Sequence, residues 1–135
     1  MDRAGFADWL HRYIDAWRLN DPVAIGDLFS ADVRYAYDPF DEAVVGRGAV
    51  VASWLAEPDA PDSWQAEYAP LAVDGGVFVA HGRTRYLTDD RRAVEREFAN
   101  LFVCRFDDED RCREFTEYYM RRRPDVAPDE PPAAG

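Results

Sequence analysis

Between Glu97 and Met120 the chain reads EFANLFVCRFDDEDRCREFTEYYM, two apolar-rich runs around one charged turn. That pattern specifies a β-hairpin, because side chains along a strand point to alternate faces. A turn at Asp107–Asp110 pairs Phe106 with Arg111, and the same register sets Asn100 opposite Glu117. One face then carries Phe98, Phe102, Phe115 and Tyr119 around Glu117. Among rings the charged form of a carboxyl is poorly solvated, so its pKa rises and it suits proton transfer near neutrality. A one-residue slip of register would instead turn Glu117 outward, to pair with an arginine such as Arg83 or Arg85.

The rest of the chain must supply walls for that hairpin. Its 135 residues make one domain with enough apolar sequence, 47% of the total, to bury a real core. A net charge of −11 argues against nucleic acid and against an anionic membrane surface, since both need a basic face. All 16 basic residues are arginine, so a lysine Schiff base is excluded. The hairpin register sends Cys104 and Cys112 to opposite sheet faces, which makes a disulfide unfavourable and fits a reducing cytoplasm. No metal-ligand spacing, phosphate-cradling glycine loop or nucleophile motif occurs. No apolar run approaches membrane length, and no leader is recognisable, so a soluble, cytoplasmic protein is expected.

Phe6, Trp9, Leu10, Tyr13, Ile14 and Trp17 recur at helical spacing and predict an amphipathic first helix. Asn20-Asp21-Pro22 ends it and opens a short second helix that buries Ile25, Leu28 and Phe29. Ser30-Ala31-Asp32 leads into a strand, Val33–Tyr37, which Asp38-Pro39 breaks. After Gly46-Arg47-Gly48 a third helix carries Val50, Val51, Trp54 and Leu55 on one side. Strands follow at Trp64–Val73 and Val77–Leu87, a charged turn covers Thr88–Arg92, and the Glu97 hairpin completes the sheet. The expected architecture is therefore α+β, with three N-terminal helices gathered on one face of a strongly curved, mostly antiparallel sheet. The domain spans 1–123, and 124–135, an acidic segment with four prolines, reads as a disordered tail. The outer sheet face, with Leu101, Val103, Cys112 and Tyr118, would be exposed on a monomer, which suggests homodimerisation through it.

The segments Arg12-Tyr13-Ile14, Asp21, Leu28-Phe29, Asp32, Asp38-Pro39 and Gly46-Arg47-Gly48, with the closing Glu117-Tyr118-Tyr119, resemble the nuclear transport factor two-like superfamily in its SnoaL-like branch. The resemblance covers about residues 4–122 and implies a cone-shaped α+β barrel. That superfamily includes ketosteroid isomerases, polyketide cyclases, scytalone dehydratases and limonene epoxide hydrolases. It implies a pocket between helices and sheet, a small apolar ligand, acid–base side chains, and no metal or organic cofactor. Residue by residue, Tyr13 matches the isomerases' oxyanion-hole tyrosine and Asp38 their general-base aspartate. Glu117 matches the acid that SnoaL-like cyclases keep on the last strand, whereas the isomerases' second aspartate falls on or near Phe102.

The catalytic candidates are thus Glu117, Asp38 and Tyr13, with Asn100, Trp9, Trp17, Trp54, Phe98, Phe102, Phe115 and Tyr119 as the ligand-contacting set. Each has a plainer reading. Asp38 before Pro39 can organise a turn, Tyr13 and the tryptophans can be core, and Asn100 can be a satisfied buried amide. Two functions fit the pattern. One is an isomerase, cyclase or dehydratase acting by acid–base chemistry on an apolar molecule bearing a carbonyl or hydroxyl. The other is a non-catalytic ligand-binding or dimerisation module of the same fold, favoured by the ring at Phe102.

Overall fold

Helix α1 (Arg3–Leu19) begins where the Asp2 carboxylate accepts the Gly5 amide at 2.8 Å, and ends at Asn20 in the left-handed conformation. Its apolar stripe of Phe6, Trp9, Leu10 and Tyr13 is buried, and the Trp9 indole donates to the Leu28 carbonyl at 3.0 Å. Asp21 caps α2 (Pro22–Gly26), whose first position is taken by Pro22. The chain continues as β1 (Phe29–Ala36), β2 (Val44–Val45), α3 (Arg47–Ala56), β3 (Trp64–Asp74), β4 (Val77–Leu87), β5 (Val94–Phe106) and β6 (Cys112–Arg121). The computed structural model describes residues 1–124, so the expected tail lies outside the described residues except for Pro124. No helix among them is long and apolar enough to cross a membrane.

The six strands form one sheet in the order β2-β1-β6-β5-β4-β3. Only β1 and β6 run parallel, which they can do because four strands and a helix separate them in the chain. The sheet curls around α1 without closing, leaving β2 and β3 as its edges. This is the expected α+β cone. The concave side packs on α1, and the convex side carries half-buried Leu101 and Val103 with exposed Tyr118 and Met120.

Three details differ from the sequence reading. Phe29 opens β1 instead of closing α2, since the Cys112 amide donates to the Leu28 carbonyl and Phe29 pairs with Cys112. The hairpin is also shifted by two residues, so Asn100 faces Tyr119 and Glu117 faces Phe102. Its turn closes later than expected. The Asp107 amide donates to the Arg111 carbonyl, the Asp107 carboxylate accepts two further backbone amides, and Asp110 takes φ 59°. A shift of two keeps every side chain on its face, so Phe98, Asn100, Phe102, Phe115, Glu117 and Tyr119 still share the concave side. Arg113, however, is an extra residue between the pairs Arg105–Glu114 and Phe106–Cys112. That bulge turns Cys112 inward, so both cysteines are fully buried side by side and Cys112 is absent from the outer face.

Candidate functional site

A cavity of about 800 Å³ opens between α1, α3 and the concave face of the sheet. Tyrosine dominates its wall: of the seven in the chain, Tyr13, Tyr35, Tyr37, Tyr68, Tyr86 and Tyr119 line it. Strand periodicity explains much of this, because Tyr35 and Tyr37 are two apart on the chain, as are Thr84 and Tyr86 on β4. The lining also carries charge of both signs, from Asp38, Asp41, Glu57 and Asp59 and from Arg96 and Arg121. The Arg96 guanidinium lies over the Tyr86 ring at 4.5 Å, a cation–π contact that keeps the cation at the mouth.

Glu117 reaches into this cavity from β6. Its Oε2 accepts a hydrogen bond from Asn100 Nδ2 at 2.7 Å. Burial among the rings pushes its pKa up to about 7, against the downward pull of the Asn100 amide. A carboxyl so placed is part acid and part base at neutral pH. Burial also raises the phenols of Tyr13 and Tyr35 well above their usual value, and the facing Glu117 charge adds to the effect. Tyr86 is pushed up to about 12 for the same reasons, with Asp59 adding to burial. All these hydroxyls therefore remain protonated wherever Glu117 titrates.

The Tyr13 and Tyr35 hydroxyls meet at 2.7 Å. Their rings are set by Phe115, which stacks on Tyr35 at 4.4 Å and on Tyr13 at 5.6 Å. Two hydroxyls share one hydrogen bond, so the pair has a second hydrogen left to give. The Trp54 N–H is buried without a hydrogen-bond partner among the described residues. It lies close enough to the Tyr35 oxygen to favour its phenolate, though not in hydrogen-bonding geometry, and burial outweighs it.

Among the sequence candidates, Glu117, Tyr13, Asp38, Asn100, Trp17, Trp54, Phe98 and Tyr119 do line the cavity. Trp9, Phe102 and Phe115 do not, because all three are fully buried beneath it. They act as its floor: Phe102 packs on Tyr68 at 4.6 Å, and Trp9 on Tyr13 at 5.5 Å. Asp38 is at the rim, but its Oδ1 accepts the Phe40 and Asp41 amides at 2.8 and 3.0 Å, which is the turn-forming role. Trp17 stacks on Trp64 at 3.5 Å and donates to Asp59 at 3.1 Å, so only part of it serves the cavity. Tyr35, Tyr37, Tyr68, Thr84 and Tyr86 were not anticipated. The strand phase that buries Ala80 also turns Thr84 inward, and that was the available signal. No group of three or more metal-capable side chains occurs among the described residues.

Comparison with known proteins agrees with this architecture. A search among curated proteins finds no match to the chain. A solved structure of an NTF-2 like protein of unknown function from Burkholderia xenovorans LB400 superposes with a TM-score of 0.66 at 17% identity. That match covers 93% of this chain and 89% of the other. SalBIII, described as an epoxide hydrolase/cyclase-like enzyme in pyran ring formation of the polyether salinomycin, gives the same TM-score at 14% identity. Here 84% of this chain and 88% of SalBIII are covered. The SnoaL-like domain model matches residues 10–115, from the middle of α1 to the strand that carries Glu117. The chain therefore belongs to the SnoaL-like family, and its fold is similar to that of the NTF-2 like structure.

Proposed function

We propose that the protein is an isomerase, cyclase or dehydratase that moves protons on a small, largely apolar molecule bearing a carbonyl or hydroxyl. The observation that carries this reading is Glu117, buried among rings with a pKa of about 7 and one oxygen fixed by Asn100. The ionised carboxylate takes a proton from carbon next to the ligand's carbonyl, and the carboxylic acid returns it elsewhere on the same molecule. The spare hydrogen of the Tyr13–Tyr35 pair meets the negative charge that develops on the ligand oxygen. Asp38 is left to shape the rim, since its carboxylate is engaged by backbone amides.

The competing reading, a binding module without chemistry, draws support from the ring at Phe102, where a second acid would otherwise complete an oxyanion site. Glu117→Gln separates the two. The amide keeps the size of the side chain and can still accept from Asn100, but it cannot exchange a proton. Over a panel of cyclic ketones, enones and epoxides, the variant should lose turnover by about 10²–10⁴-fold while binding the same compounds. Turnover equal to the parent's would remove Glu117 from the mechanism.

A further inference from the structure

Four polar side chains of the concave wall, one from each strand from β3 to β6, are linked in single file. The Tyr68 hydroxyl meets Thr84 Oγ1 at 2.5 Å, Thr84 Oγ1 donates to Asn100 Oδ1 at 2.9 Å, and Asn100 Nδ2 donates to Glu117 Oε2 at 2.7 Å. Thr84 and Asn100 are 3% and 8% exposed, so solvent does not compete for these bonds.

Counting hydrogens gives the file one direction. An ionised carboxylate only accepts, so Asn100 must turn its nitrogen to Glu117 and its oxygen to Thr84. Threonine has a single hydroxyl hydrogen, and Asn100 receives it. The Tyr68 hydroxyl must therefore be the donor at the remaining link. Tyr68 can then only accept from a ligand, in contrast to the Tyr13–Tyr35 pair.

The file depends on a glycine in the sheet. Tyr68, Gly82, Asn100 and Tyr119 form one row across the strands, and Thr84 stands in the next row. A Cβ on Gly82 would lie 2.6 Å from the Tyr68 ring and 1.9 Å from the Glu67 carbonyl oxygen. With no side chain there, the Tyr68 ring and the Glu67 carbonyl close over Gly82, and the Tyr68 hydroxyl reaches Thr84 in the next row.

We propose that Thr84 and Tyr68 are positioning residues for Glu117: they lock the Asn100 amide so that Oε2 stays engaged and Oε1 is the oxygen that exchanges a proton with the ligand. This rests on the acid–base reading of Glu117 given above. The step balances simply. A ligand C–H bond breaks, its proton bonds to Oε1, and the electron pair remains on the ligand. No hydrogen bond in the file must reverse, because a neutral carboxyl still accepts at Oε2. The wall is thus ready for both protonation states.

Other groups facing Glu117 do not titrate with it. Tyr13 comes from α1, Tyr35 from β1, Tyr37 from the bend just after it, Tyr68 from β3 and Tyr86 from β4, and all are held protonated by burial. The rim charges Asp38, Asp41, Glu57, Asp59, Arg96 and Arg121 remain in every variant considered.

The test is the midpoint of Glu117 itself, read by NMR on protein with carboxyl-labelled glutamate, in the parent, Thr84→Val and Thr84→Ser. Valine fills the space of threonine but gives no hydrogen to Asn100, so the amide loses its lock and its bond to the anion weakens. The midpoint should rise by on the order of one pH unit in the valine variant and return towards the parent's in the serine variant. The Asn100 side-chain amide signals should follow the Glu117 titration in the parent and lose that dependence in Thr84→Val. Tyr68→Phe, which keeps Thr84, should move the midpoint in the same direction by less. An unchanged midpoint in Thr84→Val, or equal shifts with valine and serine, would overturn the proposal. The readout needs no substrate, so it stands or falls separately from the turnover of Glu117→Gln.

Discussion

Removing the charge at Glu117 should stabilise the fold, and only at pH values where that charge exists. The carboxyl has an ordinary pKa of 4.5 and is pushed up to about 7 in the folded chain. Between those values the folded state binds more protons than the unfolded state, so unfolding free energy falls as pH rises. The contribution is fully present below pH 4.5 and lost by the time pH has passed 7. At about 1.4 kcal/mol per pKa unit, the ionised carboxylate destabilises by about 3 kcal/mol, less where cavity water screens it. Glu117→Gln removes that penalty while retaining an acceptor for Asn100. Chemical unfolding of parent and variant at pH 5 and pH 8 isolates the effect. Exposed carboxylates such as Asp62 and Asp90, lowered by their hydrogen bonds, give the opposite pH slope. They are common to both proteins and cancel in the difference. The variant should gain about 2–3 kcal/mol over the parent at pH 8, on the order of 10 °C in Tm, and far less at pH 5. A variant-minus-parent difference that is the same at both pH values would refute the buried-charge reasoning. Such a result would also leave Glu117 without its claim to proton transfer near neutrality.

Gly82→Ala should destabilise by about 2 kcal/mol or more, because the added carbon meets backbone at Glu67 as well as the Tyr68 ring. Urea unfolding measures the loss, and the Glu117 midpoint should rise along with it as Tyr68 is displaced. On the outer sheet face we propose a second copy of the chain as partner, since Leu101, Val103, Tyr118 and Met120 give it an apolar centre. Light scattering should then give twice 15.4 kDa for the parent and a monomer for Tyr118→Glu, whereas a monomeric parent would dismiss the idea.

The sequence was most legible where the rule is local. The α1 stripe, the cap and proline at Asp21-Pro22, and the bounds of β4 all follow from spacing and from backbone chemistry within a few residues. The face of the hairpin was readable too. Side chains alternate with period two, so a register wrong by two still left Glu117 on the same side as Phe98, Asn100 and Tyr119. Cys112 shows the limit of that tolerance, since one extra residue at Arg113 reverses the phase and carries a thiol from the outer face into the core.

What tertiary structure decided was which polar atoms meet. Tyr68, Thr84, Asn100 and Glu117 lie 16, 16 and 17 residues apart along the chain, and their hydrogen bonds exist only once four strands are aligned in register. Asp38 and Phe102 were placed near the right region by pattern, yet the Phe40 and Asp41 amides claim the first, and packing against Tyr68 and Phe115 buries the second. The sequence by itself determined a cone with a carboxyl on its aromatic inner face, because hydrophobic periodicity and turn chemistry act over short spans. Only the assembled sheet decided that this carboxyl has one oxygen engaged by Asn100, one without a hydrogen bond among the described residues and a fixed direction of hydrogen bonding behind it, because those depend on distances between strands remote in the chain.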